Sequence, residues 1–263
     1  MSNIKLAIFN IKKNLKNAKE LKGAFITSVV GMCINNISFI ILWYYFGKVV
    51  GEINGWKPID IFGLYGFSAT NFGIVDSLFN GLYNIPSNIS TGNLDKYLTT
   101  PKSTLVKLIT SSVSISGLGD FLFGIICFII YAIISKLTLF QIFISIILMI
   151  LSSIIFFSFS LICMSVSFYL MDGENVSIGF YQMFVSVSLY HGGAFSGILK
   201  KIFVFLVPSL LLGAIPVEIV KNITITNIGF ILLLTLFWLI LSIIIFNKSL
   251  KKYESNNFFG FGG

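Results

Sequence analysis

The sequence predicts an all-α membrane protein, and three observations support this fold class. Of the 263 residues, 56% are hydrophobic and only 11% are charged. A soluble domain of this length needs more charge to cover its surface. The hydrophobic residues also fall in long runs separated by short polar stretches, as expected for helices that meet lipid. We therefore expect one membrane domain with six transmembrane helices.

The first 22 residues contain six lysines and an apolar series at helical spacing. The residues predicted to share one helical face are Ile4, Ile8, Ile11, Leu15 and Ala18. Because this spacing matches 3.6 residues per turn, we predict an amphipathic interfacial helix over residues 1–22. It would lie on the cytoplasmic surface with its lysines toward anionic head groups. A disordered basic leader is the alternative.

Residues 23–246 contain the apolar runs and form the predicted membrane domain. The predicted spans are residues 23–46, residues 59–83, one helix within 105–134, another within 138–170, a fifth that begins near residue 176, and residues 225–246. Short polar or glycine-rich stretches separate them.

The fifth predicted span is interrupted. His191, Gly192, Gly193, Pro208 and Pro216 break the stretch between residues 176 and 220. Irregular backbone at membrane depth is tolerated only where protein buries it or where it lines a wet cavity. We therefore predict a re-entrant or broken outer hairpin between spans five and six.

The lysines predict the orientation of the chain. All 18 basic residues are lysines, and with the N-terminus inside 12 fall on the cytoplasmic side and 6 outside. This asymmetry predicts that both termini, including a tail at residues 247–263, are cytoplasmic. The use of lysine alone, with abundant Ile, Phe and Asn, indicates an AT-rich bacterial genome and hence a bacterial plasma membrane. The predicted cytoplasmic lysines are Lys5, Lys12, Lys13, Lys16, Lys19, Lys22, Lys96, Lys102, Lys107, Lys248, Lys251 and Lys252.

A polar segment, residues 84–102, connects spans two and three on the predicted cytoplasmic side. Gly92 can end the preceding helix, and Pro101 can interrupt the chain before span three begins. Between them, Leu94, Tyr97 and Leu98 could form one apolar face of a short helix. Such a helix on the membrane surface is a natural contact for a motor subunit. An ordinary interfacial loop is the alternative.

The string Gly-x-Leu-Asp-x-x-Leu-x-x-Pro, formed here by Gly92, Leu94, Asp95, Leu98 and Pro101, resembles a segment of the permeases of type-two ATP-binding-cassette (ABC) exporters. The closest resemblance is to the small bacterial permeases with six spans. The lysine-rich first helix, the six spans and the interrupted fifth span agree with this resemblance.

The resemblance implies a permease that moves an amphipathic or hydrophobic substrate out of the cell by alternating access. Antimicrobial peptides, drugs and lipids are the substrate classes it allows. It implies a dimer with the same or a homologous chain, two ABC ATPase subunits, and a substrate path between the two permeases. It assigns the ATPase contact to the N-terminal helix and to the segment after span two, where the coupling residues are Gly92, Leu94, Asp95, Tyr97, Leu98 and Pro101.

The chain lacks the phosphate loop Gly-x-x-x-x-Gly-Lys-Ser/Thr. ATP and Mg²⁺ would therefore be bound by a separate ATPase chain, with no cofactor on this one. The only histidine, His191, has no Cys, Asp or Glu at ligand spacing, so neither a metal site nor a catalytic site is predicted.

Three polar residues within the predicted spans are candidates for the translocation path. Asn35 and Asn36 lie in the middle of span one, and Asp120 lies in span three. A carboxylate inside the membrane is a candidate functional residue. A structural, hydrogen-bonded role is the alternative for all three.

Three other functions stay open on the sequence. An ion-coupled secondary transporter or channel would use carboxylates such as Asp120 deep in the membrane. A membrane enzyme would need a cluster of catalytic residues at one leaflet. A membrane immunity protein that transports nothing is the third.

Overall fold

The computed structural model describes residues 3–20, 22–99, 101–170 and 172–253. These residues form α-helices joined by short 3-10 and π turns, and their only β-type pairing is one bridge between Ile53 and Trp56. The helices are α1 (Asn3–Glu20), α2 (Lys22–Val50), α3 (Asp60–Phe79), α4 (Ile85–Ser90), α5 (Asp95–Leu98), α6 (Thr104–Ile109), α7 (Ile115–Ile134), α8 (Leu139–Ser165), α9 (Gly173–Ser188), α10 (Gly197–Lys201), α11 (Ala214–Lys221) and α12 (Ile225–Leu250).

Helix α3 is the centre of the bundle. Fifteen of its 20 residues are buried, and it packs along α7 and against α8, α11 and α2. Glycines let α3 and α7 approach closely. A Cβ added at Gly73 would lie 2.3 Å from the backbone nitrogen of Phe121, and one at Gly124 would lie 2.4 Å from that of Thr70. Small residues at such crossings maximise contact between helices where lipid provides no hydrophobic drive.

The remaining long helices surround this pair. Helix α2 packs on α7, while α9 and α12 pack on α8. Their outward faces carry exposed large apolar side chains, as at Ile34 and Ile41 of α2 and Leu233 and Phe237 of α12. This surface suits lipid or another apolar helix rather than water.

Among the described residues, four helices are long and apolar enough to cross a membrane. They comprise Ile26–Val49, Ile115–Ile134, Leu139–Phe168 and Ile225–Leu250. These confirm the predicted first, third, fourth and sixth spans, but the count of six is not confirmed. Helix α3 is less apolar because protein surrounds it, and α9 has 16 residues, about 24 Å of helix against a core of about 30 Å.

The chain between α9 and α12 is broken, as predicted. A 3-10 turn (Gly192–Ala194), α10, a π turn (Ile202–Leu206) and a 3-10 turn (Pro208–Leu211) precede α11. The carbonyls of Leu211 and Leu212 accept hydrogen bonds from Ser152 Oγ at 2.8 Å and Asn71 Nδ2 at 2.7 Å. Side chains of α8 and α3 therefore satisfy buried backbone that no helix satisfies. Whether this stretch is re-entrant stays a prediction.

The antiparallel helices give the bundle two ends. At one, which we call the Leu94 end, Ser114 N donates to the Asp76 carbonyl and the rings of Phe168 and Phe246 meet. At the other, the His191 end, Gln141 Nε2 donates to the Val220 carbonyl. The segment 84–102 lies at the Leu94 end.

Candidate functional site

The segment 84–102 begins with a capped helix. Helix α4 ends at Ser90, and Gly92 follows with a φ of +69°. Gly92 N donates to the Ile89 carbonyl at 3.2 Å, and Leu94 N donates to the Asn88 carbonyl at 3.0 Å. This geometry requires a left-handed residue after the helix, which explains the glycine.

Leu94 anchors the segment to the bundle. Its side chain is fully buried in an apolar cluster, which we call the Leu94 cluster. Because no part of Leu94 reaches the surface, it can serve coupling only by holding the segment in place. The cluster comprises Leu82, Ile85, Leu94, Leu108, Ile109, Leu161, Cys163, Met164 and Phe246.

The following turn separates buried from exposed residues. In α5, Tyr97 is half-buried against the Leu94 cluster, whereas Leu98 is 43% exposed. The Tyr97 carbonyl accepts a hydrogen bond from Lys107 Nζ of α6. Pro101 is exposed just beyond. The predicted apolar face of Leu94, Tyr97 and Leu98 is therefore split, because Leu98 does not join the buried side chains.

The residue Tyr253, just after α12, also contacts this segment. Tyr253, which follows α12, packs edge-on against Phe168, and its hydroxyl lies near the Asp95 carboxylate. Burial, and then the neighbouring carboxylate, raise the pKa of Tyr253 to about 12. Asp95, the first residue of α5, thus lies beside Tyr253 of the segment that follows α12.

A set of asparagine side chains connects α1 and the segment to the turn before α7. Asn14 Nδ2 lies 3.1 Å from the carbonyls of both Thr110 and Ser111. We call this set the amide junction. Its members are Asn10, Asn14, Asn80 and Asn84 as donors and Thr110, Ser111 and Ser112 as acceptors.

Sequence reasoning missed the amide junction, although a signal was present. Asn10 and Asn14 are four residues apart, and so are Asn80 and Asn84. Residues at this spacing lie on one face of a helical turn, so both members of a pair can donate hydrogen bonds to the same neighbouring segment. Asn80 and Asn84 both donate to Ser112 Oγ, at 3.1 Å and 3.0 Å.

The three polar candidates for a path do not come together. Asn36 of α2 and Asp120 of α7 are buried, and Asn36 Nδ2 lies 2.6 Å from Asp120 Oδ1. Their contact joins two helices, as in the hydrogen-bonded alternative. Asn35 is exposed on the outer side of α2. Their part in translocation stays a prediction.

The His191 end is held by charged and aromatic groups. The Lys221 ammonium lies 2.6 Å from the buried Asp60 carboxylate, and Lys200 lies 2.7 Å from Glu218. His191 is buried with its ring 5.2 Å from that of Trp56, and its Nδ1 accepts from Gly193 N at 3.2 Å. No three His, Cys, Asp or Glu side chains are grouped as metal ligands anywhere in the described residues.

Two apolar hollows open on the sides of the bundle. One of about 380 Å³ lies between α3, α6, α8 and α12 and includes Val75, Phe79 and Phe157. Another of about 220 Å³ lies between α2 and α9, and it is bounded by Trp43 and Tyr190. Both suit apolar groups rather than ions.

Comparison with known proteins identifies the family. The sequence model of the ABC-2 family transporter proteins matches residues 32–257, most of the chain. The chain belongs to this family. It is therefore a membrane component of an ABC transporter, in a family without its own ATPase domain, and it associates with an ABC ATPase. No curated protein and no solved structure matches it.

Membership agrees with the predicted resemblance and with the four apolar helices. The family match covers the segment 84–102, but it starts after α1. The contacts of α1 therefore come from the structure alone.

Proposed function

We propose that this chain is the permease half of an ABC exporter in a bacterial plasma membrane, and that residues 84–102 transmit ATPase motion to it. We call these residues the coupling segment. One observation carries the proposal: the segment is anchored inside the bundle by Leu94 and presents Leu98 outside it, four residues later. A transmitting element needs both a fixed attachment and an exposed contact.

The coupling segment suits this role mechanically. Leu94 lies among residues of α8 and α12, and Lys107 ties the Tyr97 carbonyl to α6. A push on Leu98 would therefore reach several helices rather than bend a free loop. Gly92 forms the turn after α4, and Asp95 contacts Tyr253 in the tail. Pro101 lies near the C-terminal end of the coupling segment. ATP and Mg²⁺ would stay on the partner ATPase.

Orientation follows from the lysines at the Leu94 end. Lys96 and Lys102 lie in the coupling segment and Lys107 lies in α6. Lys248 is in the last turn of α12, and Lys251 and Lys252 follow it. This concentration supports a cytoplasmic Leu94 end and cytoplasmic termini. Helix α3 and the α9–α11 stretch would complete six crossings with the four apolar helices.

A second permease, either the same chain or a homologous one, would cover α2. Most of this helix is exposed in the single chain, including Ile34 and Ile37 beside the polar Asn35. Asn35 would then face the partner permease, where the proposed path for an amphipathic or hydrophobic substrate runs. The hollow at Trp43 lies on the same side. Two ATPase subunits would serve such a dimer.

The test is co-purification of the permease with the ATPase and measurement of ATP hydrolysis in vesicles. Leu98→Asp should keep insertion and thermal stability but weaken ATPase association at least about tenfold, because a charge replaces the exposed apolar contact. The matched control is Ile225→Asp, since Ile225 is 88% exposed in the first turn of α12. A carboxylate is tolerated there. Equal association of Leu98→Asp and the unaltered chain would refute the coupling role.

A further inference from the structure

Helix α1 has three distinct faces. At about 100° per residue, Asn10 and Asn14 share one face, and Ile4 and Ile8 lie about a third of a turn away. Lysines and Phe9 occupy the remaining third, about 120° further round. The lysines of this third are Lys5, Lys12, Lys13 and Lys16.

The asparagine face of α1 binds the bundle. Asn10 and Asn14 hold Thr110 and Ser111, whereas Ile4 is 73% exposed and Ile8 is 49% exposed. Lys12, Lys13 and Lys16 are exposed as well. Residues 3–19 contain no carboxylate. The exposed surface of α1 therefore carries Ile4 and Ile8 on one side and Lys12, Lys13 and Lys16 on the next.

This surface matches an anionic membrane surface. Apolar side chains can enter the head-group boundary while lysine stems reach up to phosphates beside them. Each lysine near an anionic leaflet adds about 1 kcal/mol, so three strengthen docking roughly a hundredfold. On a neutral membrane surface, only the apolar side chains of α1 would contribute to docking.

A short path connects α1 to the coupling segment. Asn14 binds the turn at Thr110 and Ser111, which directly follows α6. Three residues earlier, Lys107 of α6 donates to the Tyr97 carbonyl in α5. From the other side, Asn80 and Asn84 tie the start of the segment to Ser112. Displacement of α1 would move one end of this path.

We propose that α1 is an arm that binds anionic phospholipid, and that its docking steadies the coupling segment through the amide junction. The inference deepens the proposed function, because it adds regulation by membrane charge to the ATPase contact. A permease in a neutral bilayer would have a looser coupling segment, and one in an anionic bilayer would be ready to respond to the ATPase.

The test uses the full-length permease alone, in phospholipid discs. One set contains only phosphatidylcholine, and in the other roughly a third of the lipid is phosphatidylglycerol. Hydrogen–deuterium exchange is measured for α1 and for the amides of residues 95–112. We expect anionic lipid to slow exchange in both regions at least about fivefold, and high salt to remove the effect.

Two variants separate docking from transmission. The triple variant Lys12→Gln, Lys13→Gln and Lys16→Gln should lose the lipid effect in both regions. The double variant Asn10→Ala and Asn14→Ala should keep it in α1 and lose it at residues 95–112. The matched control neutralises three exposed lysines at the same end, Lys248→Gln, Lys251→Gln and Lys252→Gln, and should respond like the unaltered chain.

Three outcomes would overturn the inference. Exchange at residues 95–112 could ignore anionic lipid, or the two triple lysine variants could behave alike. The third is protection of α1 only after the ATPase is added, which would make the ATPase its occupant. The measurement needs no ATPase, so its failure would leave the coupling role of Leu98 standing, and the failure of ATPase association would leave this result intact.

Discussion

The two ends of the bundle are stabilised by different kinds of interaction. At the Leu94 end, a buried apolar cluster combines with hydrogen bonds from neutral asparagine amides. At the His191 end, ion pairs join α11 to α10 and to Asp60 at the start of α3, and the His191 ring lies beside Trp56 of the loop after α2. The residues that form these contacts at the Leu94 end are uncharged, whereas those at the His191 end include titratable groups.

This difference suits a transporter with one driven end. The Leu94 end holds the coupling segment through an apolar anchor, amide hydrogen bonds and the Lys107 ammonium. The His191 end holds broken backbone together, with ion pairs from α11 to α10 and to α3. Substitutions of Leu94 and Asp60 each weaken one end, and a control substitution at the opposite end serves as the reference.

The largest effect is expected at Leu94. Leu94→Ala should lower the free energy of unfolding by about 3 kcal/mol, because it removes a fully buried side chain and leaves a cavity. The control Leu139→Ala at the His191 end, where the side chain is 86% exposed, should change it by less than about 0.5 kcal/mol. Thermal unfolding in detergent measures both. Equal losses would show that the Leu94 cluster is not a core.

A smaller effect is expected at Asp60. Asp60→Asn should cost about 1–2 kcal/mol, because the buried oxygen at 2.6 Å from Lys221 loses its charge. Lys221 is partly exposed, so its ammonium can turn to water and limit the loss. The exposed Asp172→Asn at the Leu94 end serves as control. Unfolding midpoints at neutral pH should separate the two variants.

Acid should loosen the His191 end. Burial lowers the pKa of His191 below its usual range; Asp60 opposes this shift and Lys221 adds to it. The unfolded chain therefore binds the proton first, and stability falls as pH drops below the ordinary histidine pKa of about 6.5. The loss cannot exceed about 1.4 kcal/mol per pH unit.

Unfolding midpoints between neutral and mildly acidic pH would measure this dependence. His191→Asn should flatten the curve over that range, since no titrating imidazole remains. A curve of unchanged slope in His191→Asn would assign the acid sensitivity to another group.

The smallest effect is expected at Glu218. Glu218→Gln should cost about 0.5 kcal/mol, because Lys200 and Glu218 are each about a third exposed and water screens the pair. Added salt should reduce even this difference. A loss as large as that of Asp60→Asn would mean that the pair is buried when the protein sits in its membrane.

The sequence predicted the positions of the long helices, including α3 within the predicted span 59–83, but it did not predict that α3 is the centre of the bundle. Long apolar runs gave α2, α7, α8 and α12, because lipid exposure demands apolar residues over a whole span. Helix α3 carries Ser68, Thr70 and Asn71 on buried faces, so hydropathy understates its central place. The glycines and prolines after α9 predicted that the helix is broken there. They did not predict which side chains donate hydrogen bonds to the carbonyls of the broken stretch.

For the coupling segment, composition placed a glycine turn, a short helix and a proline at the correct positions. It could not separate Leu94 from Leu98, because burial depends on which side chains lie opposite in space. Nor could it join Asn14 to Thr110 and Ser111, almost a hundred residues away.

The sequence by itself determined that this chain is helical, membrane-embedded and basic at one set of helix ends, because those properties follow from local composition. Tertiary structure alone decided that Leu94 is an anchor, that Leu98 is exposed, and that α1 is tied to the turn before α7. Those features depend on long-range contacts, and a contact exists only once the helices have packed.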